Sequence, residues 1–193
     1  MKRVLFTGMS GVGKSTLVGR LSELGYRAYD VDDEGWTLPS DDGGRSWRED
    51  VVERLLSERS GPALFLSGCS ESQVRFYPHF DAVVLLSAPP SVLRRRLRTR
   101  TNNPYGKRPD ELADVLGYVD TVEPLLRKAA DHEIDATLPV EEVLDRLLQL
   151  VGEHPRAGTE QGSTCTDAHE PRWSGRPRWT GSWPAIPPSD GRP

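Results

Sequence analysis

Only two cysteines, Cys69 and Cys165, occur in the 193 residues of this chain. They have neither metal-ligand nor C-x-x-C spacing, so a disulfide framework is not indicated and a reducing, cytoplasmic setting is the expected one. The four histidines, at 79, 132, 154 and 169, are too scattered for a metal cluster. No stretch approaches the roughly 20 consecutive apolar residues of a membrane span. Lys2-Arg3 before Val4-Leu5-Phe6 faintly mimics a secretory leader, but the apolar run stops at Thr7-Gly8. A large excess of one charge is missing too: the net charge is −4, which gives no general attraction for polyanions. There is no internal repeat, and the length suits one domain with its own core rather than two.

What is present is a phosphate-binding signature. Gly8-Met9-Ser10-Gly11-Val12-Gly13-Lys14-Ser15 matches G-x-x-x-x-G-K-[ST] at every fixed position. Val4-Leu5-Phe6-Thr7 before it reads as a buried strand. Leu17, Val18, Leu21 and Leu24 after it have helical spacing, and Gly25 suits a helix end. The pattern follows from anion chemistry. Glycines let the backbone turn tightly and aim successive N–H groups at an anion, and the helix N-terminus adds its positive dipole end. Gly8, Ser10, Gly11, Val12, Gly13 and Thr16 therefore line a predicted nucleotide cradle. Lys14 would reach the β- and γ-phosphates of ATP, and the Ser15 hydroxyl would ligate Mg²⁺.

Further along, 26–32 reads as a second strand ending in acids, and 33–45 as a turn-rich surface loop. Ser46-Trp47-Arg48-Glu49 reads as a capping box ahead of a helix with Val51, Val52, Leu55 and Leu56 on one face. Strands are predicted at 63–67, at 82–86 and, shorter, at 133–136. Pro89-Pro90 opens a helix bearing Arg94, Arg95, Arg96, Arg98 and Arg100; a loop at 101–108 follows, with Gly106 as its hinge. The next helical stretch breaks near Pro124, and 140–151 closes as an amphipathic helix. Strands alternating with helices predict a parallel sheet covered on both faces, with the ligand at the C-terminal strand ends. Residues 1–151 form the expected domain. Residues 152–193 hold seven prolines, six glycines and no lysine, a composition that predicts a disordered tail.

Phosphoryl transfer needs a cradle, Mg²⁺, a group that activates the acceptor and positive charge for the transition state. Asp30 and Asp32, two apart on a strand, are predicted to share one side. One would hold Mg²⁺ and the other would accept a hydroxyl proton. Arg48 is a candidate anion-binding residue in the first turn of its helix. Arg98 or Arg100, with Lys107 and Arg108 next, are candidates to close on the phosphates and exclude water.

These features resemble the small P-loop kinases of the shikimate kinase, gluconate kinase and nucleoside monophosphate kinase type, over roughly residues 1–151. The sequence is also similar to bacterial proteins labelled only AAA family ATPase. The resemblance implies a three-layer α/β/α P-loop NTPase fold with a five-stranded parallel sheet in the order 2-3-1-4-5. It implies ATP and Mg²⁺ as cofactors and a small-molecule acceptor as the partner, with no nucleic acid and no membrane. It assigns Mg²⁺ support to Ser15 and Asp30, acceptor contact to Asp32, and the grip on an acceptor carboxylate to Arg48. Lid contacts fall to Arg98 or Arg100, here read as nucleotide contact by Arg98 and transition-state charge from Arg100. The base would lie near Asp135-Ala136-Thr137. Two departures stand out: Ser67-Gly68-Cys69-Ser70 replaces a triple glycine, and Val122-Glu123-Pro124-Leu125-Leu126 replaces R-x-P-L-Y. The competing expectation is a nucleotide-binding ATPase or switch whose Trp-bearing tail docks a partner.

Overall fold

The computed structural model describes residues 1–32, 34–40, 45–101 and 103–152. The tail expectation falls, from 153 onward, outside the described residues. In chain order the elements are β1 (Lys2–Thr7), α1 (Lys14–Glu23), β2 (Arg27–Asp30), β3 (Thr37–Pro39), β4 (Arg45–Trp47), α2 (Glu49–Ser57), β5 (Ala63–Ser67), β6 (Ala82–Ser87), α3 (Pro90–Thr99), α4 (Pro109–Thr121), α5 (Glu123–Ala129), β7 (His132–Asp135) and α6 (Val140–Gln149). Two 3₁₀ segments, Glu34–Trp36 and Glu71–His79, complete the set.

Five strands form one parallel sheet ordered β2-β5-β1-β6-β7. Counted within that sheet alone, this is the predicted order 2-3-1-4-5. Strand alternation divides the core between two faces. Val4 and Phe6 of β1 join Leu17 and Leu21 of α1 and Val143 and Leu147 of α6 on one side. Leu5 faces the other side with Leu64 and Leu66 of β5, Val52 and Leu56 of α2, and Phe76 and Phe80. β5 is buried along its whole length, as a strand covered on both faces must be. A third, small apolar cluster stands apart. In it Leu97 of α3 meets Leu112 and Val115 of α4, with Tyr105 and Leu116 against them.

The structure corrects two local readings. The expected loop at 33–45 is partly an antiparallel hairpin, β3 against β4, with Thr37 opposite Trp47. Ser46 lies inside β4 and is not a cap; α2 starts after Arg48, which has extended φ/ψ, and no side-chain bond caps the helix. The polar stretch after β5 continues into the 3₁₀ segment 71–79, which buries Gln73, Phe76 and Tyr77. The break near Pro124 is real: α4 ends and α5 starts around Val122. No described helix is long and apolar enough to cross a membrane.

Candidate active site

The glycine-rich loop joins the central strand β1 to α1, so it emerges at the C-terminal edge of the sheet. Gly8 is there of necessity. Its φ is +152°, and a Cβ would stand 2.3 Å from the Leu86 carbonyl oxygen of β6. The Lys14 ammonium donates to the Gly8 carbonyl at 2.7 Å, arching over the loop. Amides in the first turn of α1 have no intrahelical partner and carry the helix's positive end, which is the physical basis of the cradle.

Two carboxylates meet this loop in different ways. Ser15 Oγ donates to Asp30 Oδ2 at 2.8 Å. A hydroxyl and one carboxylate side by side suit Mg²⁺, which takes few protein oxygens and keeps phosphate and water in its remaining positions. Asp32 does not share a strand face with Asp30, as the sequence reading had it. β2 ends at Asp30, whose Oδ1 accepts the Asp32 N–H at 3.3 Å and turns the chain. The turn delivers Asp32 to another anchor. The Cys69 N–H is shared between Oδ1 (3.0 Å) and Oδ2 (2.9 Å), and the Trp47 indole N–H donates to Oδ1 at 3.1 Å. Oδ1 thus carries most of the anchoring, and Oδ2 keeps more of its lone-pair capacity for a ligand.

Asp32 stays open to solvent on one side while protein atoms crowd the others. That desolvation is the largest influence on its carboxyl and lifts it above the usual carboxylate range. The Lys14 charge opposes the shift and Asp30 adds to it. A carboxylate with raised proton affinity beside a phosphate cradle is suited to act as base for an acceptor hydroxyl.

The anchor has its own support. Trp47, 2% exposed, stacks on Phe76 with ring centroids 6.1 Å apart, and its backbone N–H reaches Ser72 Oγ at 2.9 Å. Gly68 makes the fit possible: a Cβ there would lie 2.6 Å from Trp47 Cζ2 and 2.8 Å from Asp32 Oδ1. The Cys69 thiol is pushed up to about 11 by burial, so it is a protonated neighbour and not a nucleophile.

The arginine run of α3 divides by face. Leu93 and Leu97 are buried; Arg96 and Arg100 continue that stripe, while Arg94, Arg95 and Arg98 are exposed. Arg100 donates to Tyr105 O at 2.6 Å and, at 3.4 Å, to Ser10 Oγ of the loop. Arg96 bridges the Val12 carbonyl (3.0 Å) and the Ala136 carbonyl (2.8 Å). Lys107 is exposed, and Arg108 pairs with Asp110 at 2.7 Å. The Gly106 N–H is held by Glu111 Oε2 at 2.8 Å. After β7, the Thr137 N–H donates to Asp135 Oδ1 at 2.8 Å, and both residues are exposed. Arg48 sits at the start of α2 beside Trp47, with its guanidinium on Asp50 through Nε (3.2 Å) and Nη2 (2.7 Å).

The loop, Ser15, Asp30, Asp32 and Arg100 are therefore gathered at one edge of the sheet. Arg98 is turned to solvent, and Arg48 is engaged by its neighbour. Sequence reasoning passed over Arg96, Trp47, Gly68 and the Cys69 amide. The Leu93/Leu97 spacing does carry a signal for Arg96; none exists for the hairpin that delivers Trp47.

Known proteins share this fold. Residues 4–117 match the AAA domain family. Shikimate kinase 2 of Sodalis glossinidius is 30% identical over 169 residues, covering 77% of this chain and 94% of that protein. Among solved structures, a shikimate kinase from Acinetobacter baumannii in complex with shikimate superposes with a TM-score of 0.59 at 21% identity, covering 78% of this chain and 93% of that one. A gluconokinase from Sinorhizobium meliloti 1021 gives 0.54 at 20% identity, covering 78% and 91%.

Proposed function

The chain belongs to the AAA domain family as a P-loop small-molecule kinase, and from that premise we propose that it transfers the γ-phosphoryl group of ATP to a hydroxyl of a small polar metabolite. One observation carries the reading: a second carboxylate, Asp32, is anchored beside the phosphate loop by the Cys69 and Trp47 N–H groups. The same acid could orient a water for hydrolysis, so acceptor-dependent turnover is what separates this reading from an ATPase.

In this reading the loop amides from Gly8 to Thr16 and the Lys14 ammonium hold the phosphates. Ser15 and Asp30 would hold Mg²⁺, which would screen the phosphate charge. Asp32 orients the acceptor hydroxyl and takes its proton through Oδ2. Arg100, already against Ser10, supplies charge to the transferring group. Arg98 would have to turn in from the surface to join it. Asp135 and Thr137 lie on the base side, where Arg96 ties their loop to the cradle. The kinase body is residues 1–151, and the tail is dispensable for turnover.

The test is an ADP-release screen of the purified chain with Mg²⁺-ATP over sugars, sugar acids, cyclitols, nucleosides and nucleoside monophosphates, with Lys14→Ala as the blank. An acceptor that raises turnover well above the blank supports the reading. ADP release that no acceptor raises would refute it in favour of an ATPase or switch.

A further inference from the structure

The acceptor wall of the cleft is built by the β4–α2 junction and the loop after β5. Trp47 reaches Asp32 from the first, and Gly68 and Cys69 from the second. Ser70 Oγ closes the wall by donating to the Arg45 carbonyl at 3.0 Å. A carboxylate or phosphate on the acceptor would need a cation on this wall that is not already compensated. Residues 30–50 supply only two cations, Arg45 and Arg48, against eight carboxylic acids.

Neither arginine is available. Arg45 is folded back on β3, with Nε on Thr37 Oγ1 (2.7 Å) and Nη2 on the Thr37 carbonyl (3.3 Å). Arg48 presents both edge donors, Nε and Nη2, to the two oxygens of Asp50. A bidentate pair of this kind uses the face with which a guanidinium would grip a substrate carboxylate. The next arginine on this side, Arg75, is paired with Glu49, the residue following Arg48. A substrate anion at Arg48 would therefore have to displace Asp50 and then remain beside it and Glu49. Like charges that close oppose binding. Among the described residues of the wall, the Ser70 and Ser72 hydroxyls, 3.0 Å apart, are neutral hydrogen-bonding partners.

We propose that this cleft selects a polyhydroxyl acceptor without an anionic group, uncharged or amine-bearing, and that the Asp50 clamp on Arg48 is what excludes acidic acceptors. The inference rests on the kinase reading above and narrows it. The arginine that the sequence marks as an anion grip is neutralised two residues away in the chain.

The experiment compares matched acceptors on shared skeletons: glucose, glucosamine, glucuronate and glucose 6-phosphate, and a cyclitol series of inositol, an aminocyclitol and quinate. Turnover is measured with Mg²⁺-ATP. Binding is measured separately by calorimetry with Mg²⁺ and a non-hydrolysable ATP analogue, which ranks acceptors without needing catalysis. The neutral or amine-bearing members should exceed their acidic counterparts by at least about ten-fold in kcat/KM, the scale of one charge-assisted hydrogen bond. The two arms separate uncharged from cationic acceptors. Asp50→Asn, at a 66% exposed side chain, frees Arg48 and should raise the acidic member relative to its neutral partner by about three-fold, the scale of a surface ion pair. A preference of the natural chain for carboxylate or phosphate acceptors, or an Asp50→Asn variant with an unaltered ratio, overturns the inference and leaves the kinase reading standing. Absence of both turnover and binding across every series brings down both.

Discussion

Replacing Gly68 by alanine is the most demanding test of the acceptor-side geometry. The added methyl would sit 2.6 Å from Trp47 Cζ2 and 2.8 Å from Asp32 Oδ1. The indole cannot swing away cheaply: it is buried, stacked on Phe76, and its backbone is tied to Ser72. The flexible partner is the Asp32 carboxylate, so Oδ1 moves off its Trp47 and Cys69 donors. Overpacking of this sort costs about 1–3 kcal/mol. In a domain of this size that lowers Tm by roughly 2–12 °C. The larger effect falls on turnover, because displacing a catalytic group by about 1 Å can cost on the order of 100-fold. ATP affinity should stay within about two-fold, since Lys14 and the loop amides are untouched. Thermal melts, ADP release and titration with a fluorescent ATP analogue read the three quantities. The cycle with Trp47→Phe adds a signature. Phenylalanine lacks the Cζ2 atom, so the double variant should be less destabilised than the sum of the single ones. A Gly68→Ala protein with native Tm and native turnover would refute the close approach and the Trp47–Asp32 anchor with it.

Two further outcomes follow from the same structure. Arg96→Ala leaves the half-buried Val12 and Ala136 carbonyls without their donor, and should lower stability by about 1–3 kcal/mol and weaken ATP binding; an unaltered nucleotide Kd in a folded variant would contradict the bridge. Cys69, in a Cys165→Ser background, should react with a soluble disulfide reagent at pH 8 roughly 100-fold more slowly than a free cysteine, with a rate rising about ten-fold per pH unit until near its value of about 11. A plateau near pH 9 would show that the thiol is not desolvated.

The parts of the fold that were legible in the sequence are those set by local chemistry. The Gly8–Ser15 pattern, the apolar β5 and β6, and the Pro89-Pro90 start of α3 each state their own conformation. The site was half legible for the same reason. Asp30 on Ser15 follows from a strand that leads straight back from α1, whereas Asp32 depends on a turn closed by the Asp30 carboxylate and on donors 15 and 37 residues away. Nothing in S-W-R-E announces that Ser46 and Trp47 belong to a hairpin, because the capping-box letters satisfy a helix start equally well. Arg48 was identified by position, but its pairing with Asp50 depends on the extended backbone at the start of α2. In α3 and just after it, five arginines look alike in the sequence, and only the helical stripe through Leu93 and Leu97 sorts them.

The small apolar cluster of Leu97, Leu112 and Val115, with Tyr105 and Leu116, sits apart from the two faces of the sheet. An element with its own private core can part from its neighbours without melting. The first turns of α4 rest on this cluster while Tyr118 and Val119 further along pack against the main core, so loosening the 103–108 turn and the start of α4 would resemble a door hinged on the main core and not a partial unfolding. The speed of that door and the stability of the house are then set by different residues. Trimming Leu112 or Val115 would change how long ATP and its product stay inside while leaving the sheet's slowest-exchanging amides as protected as before.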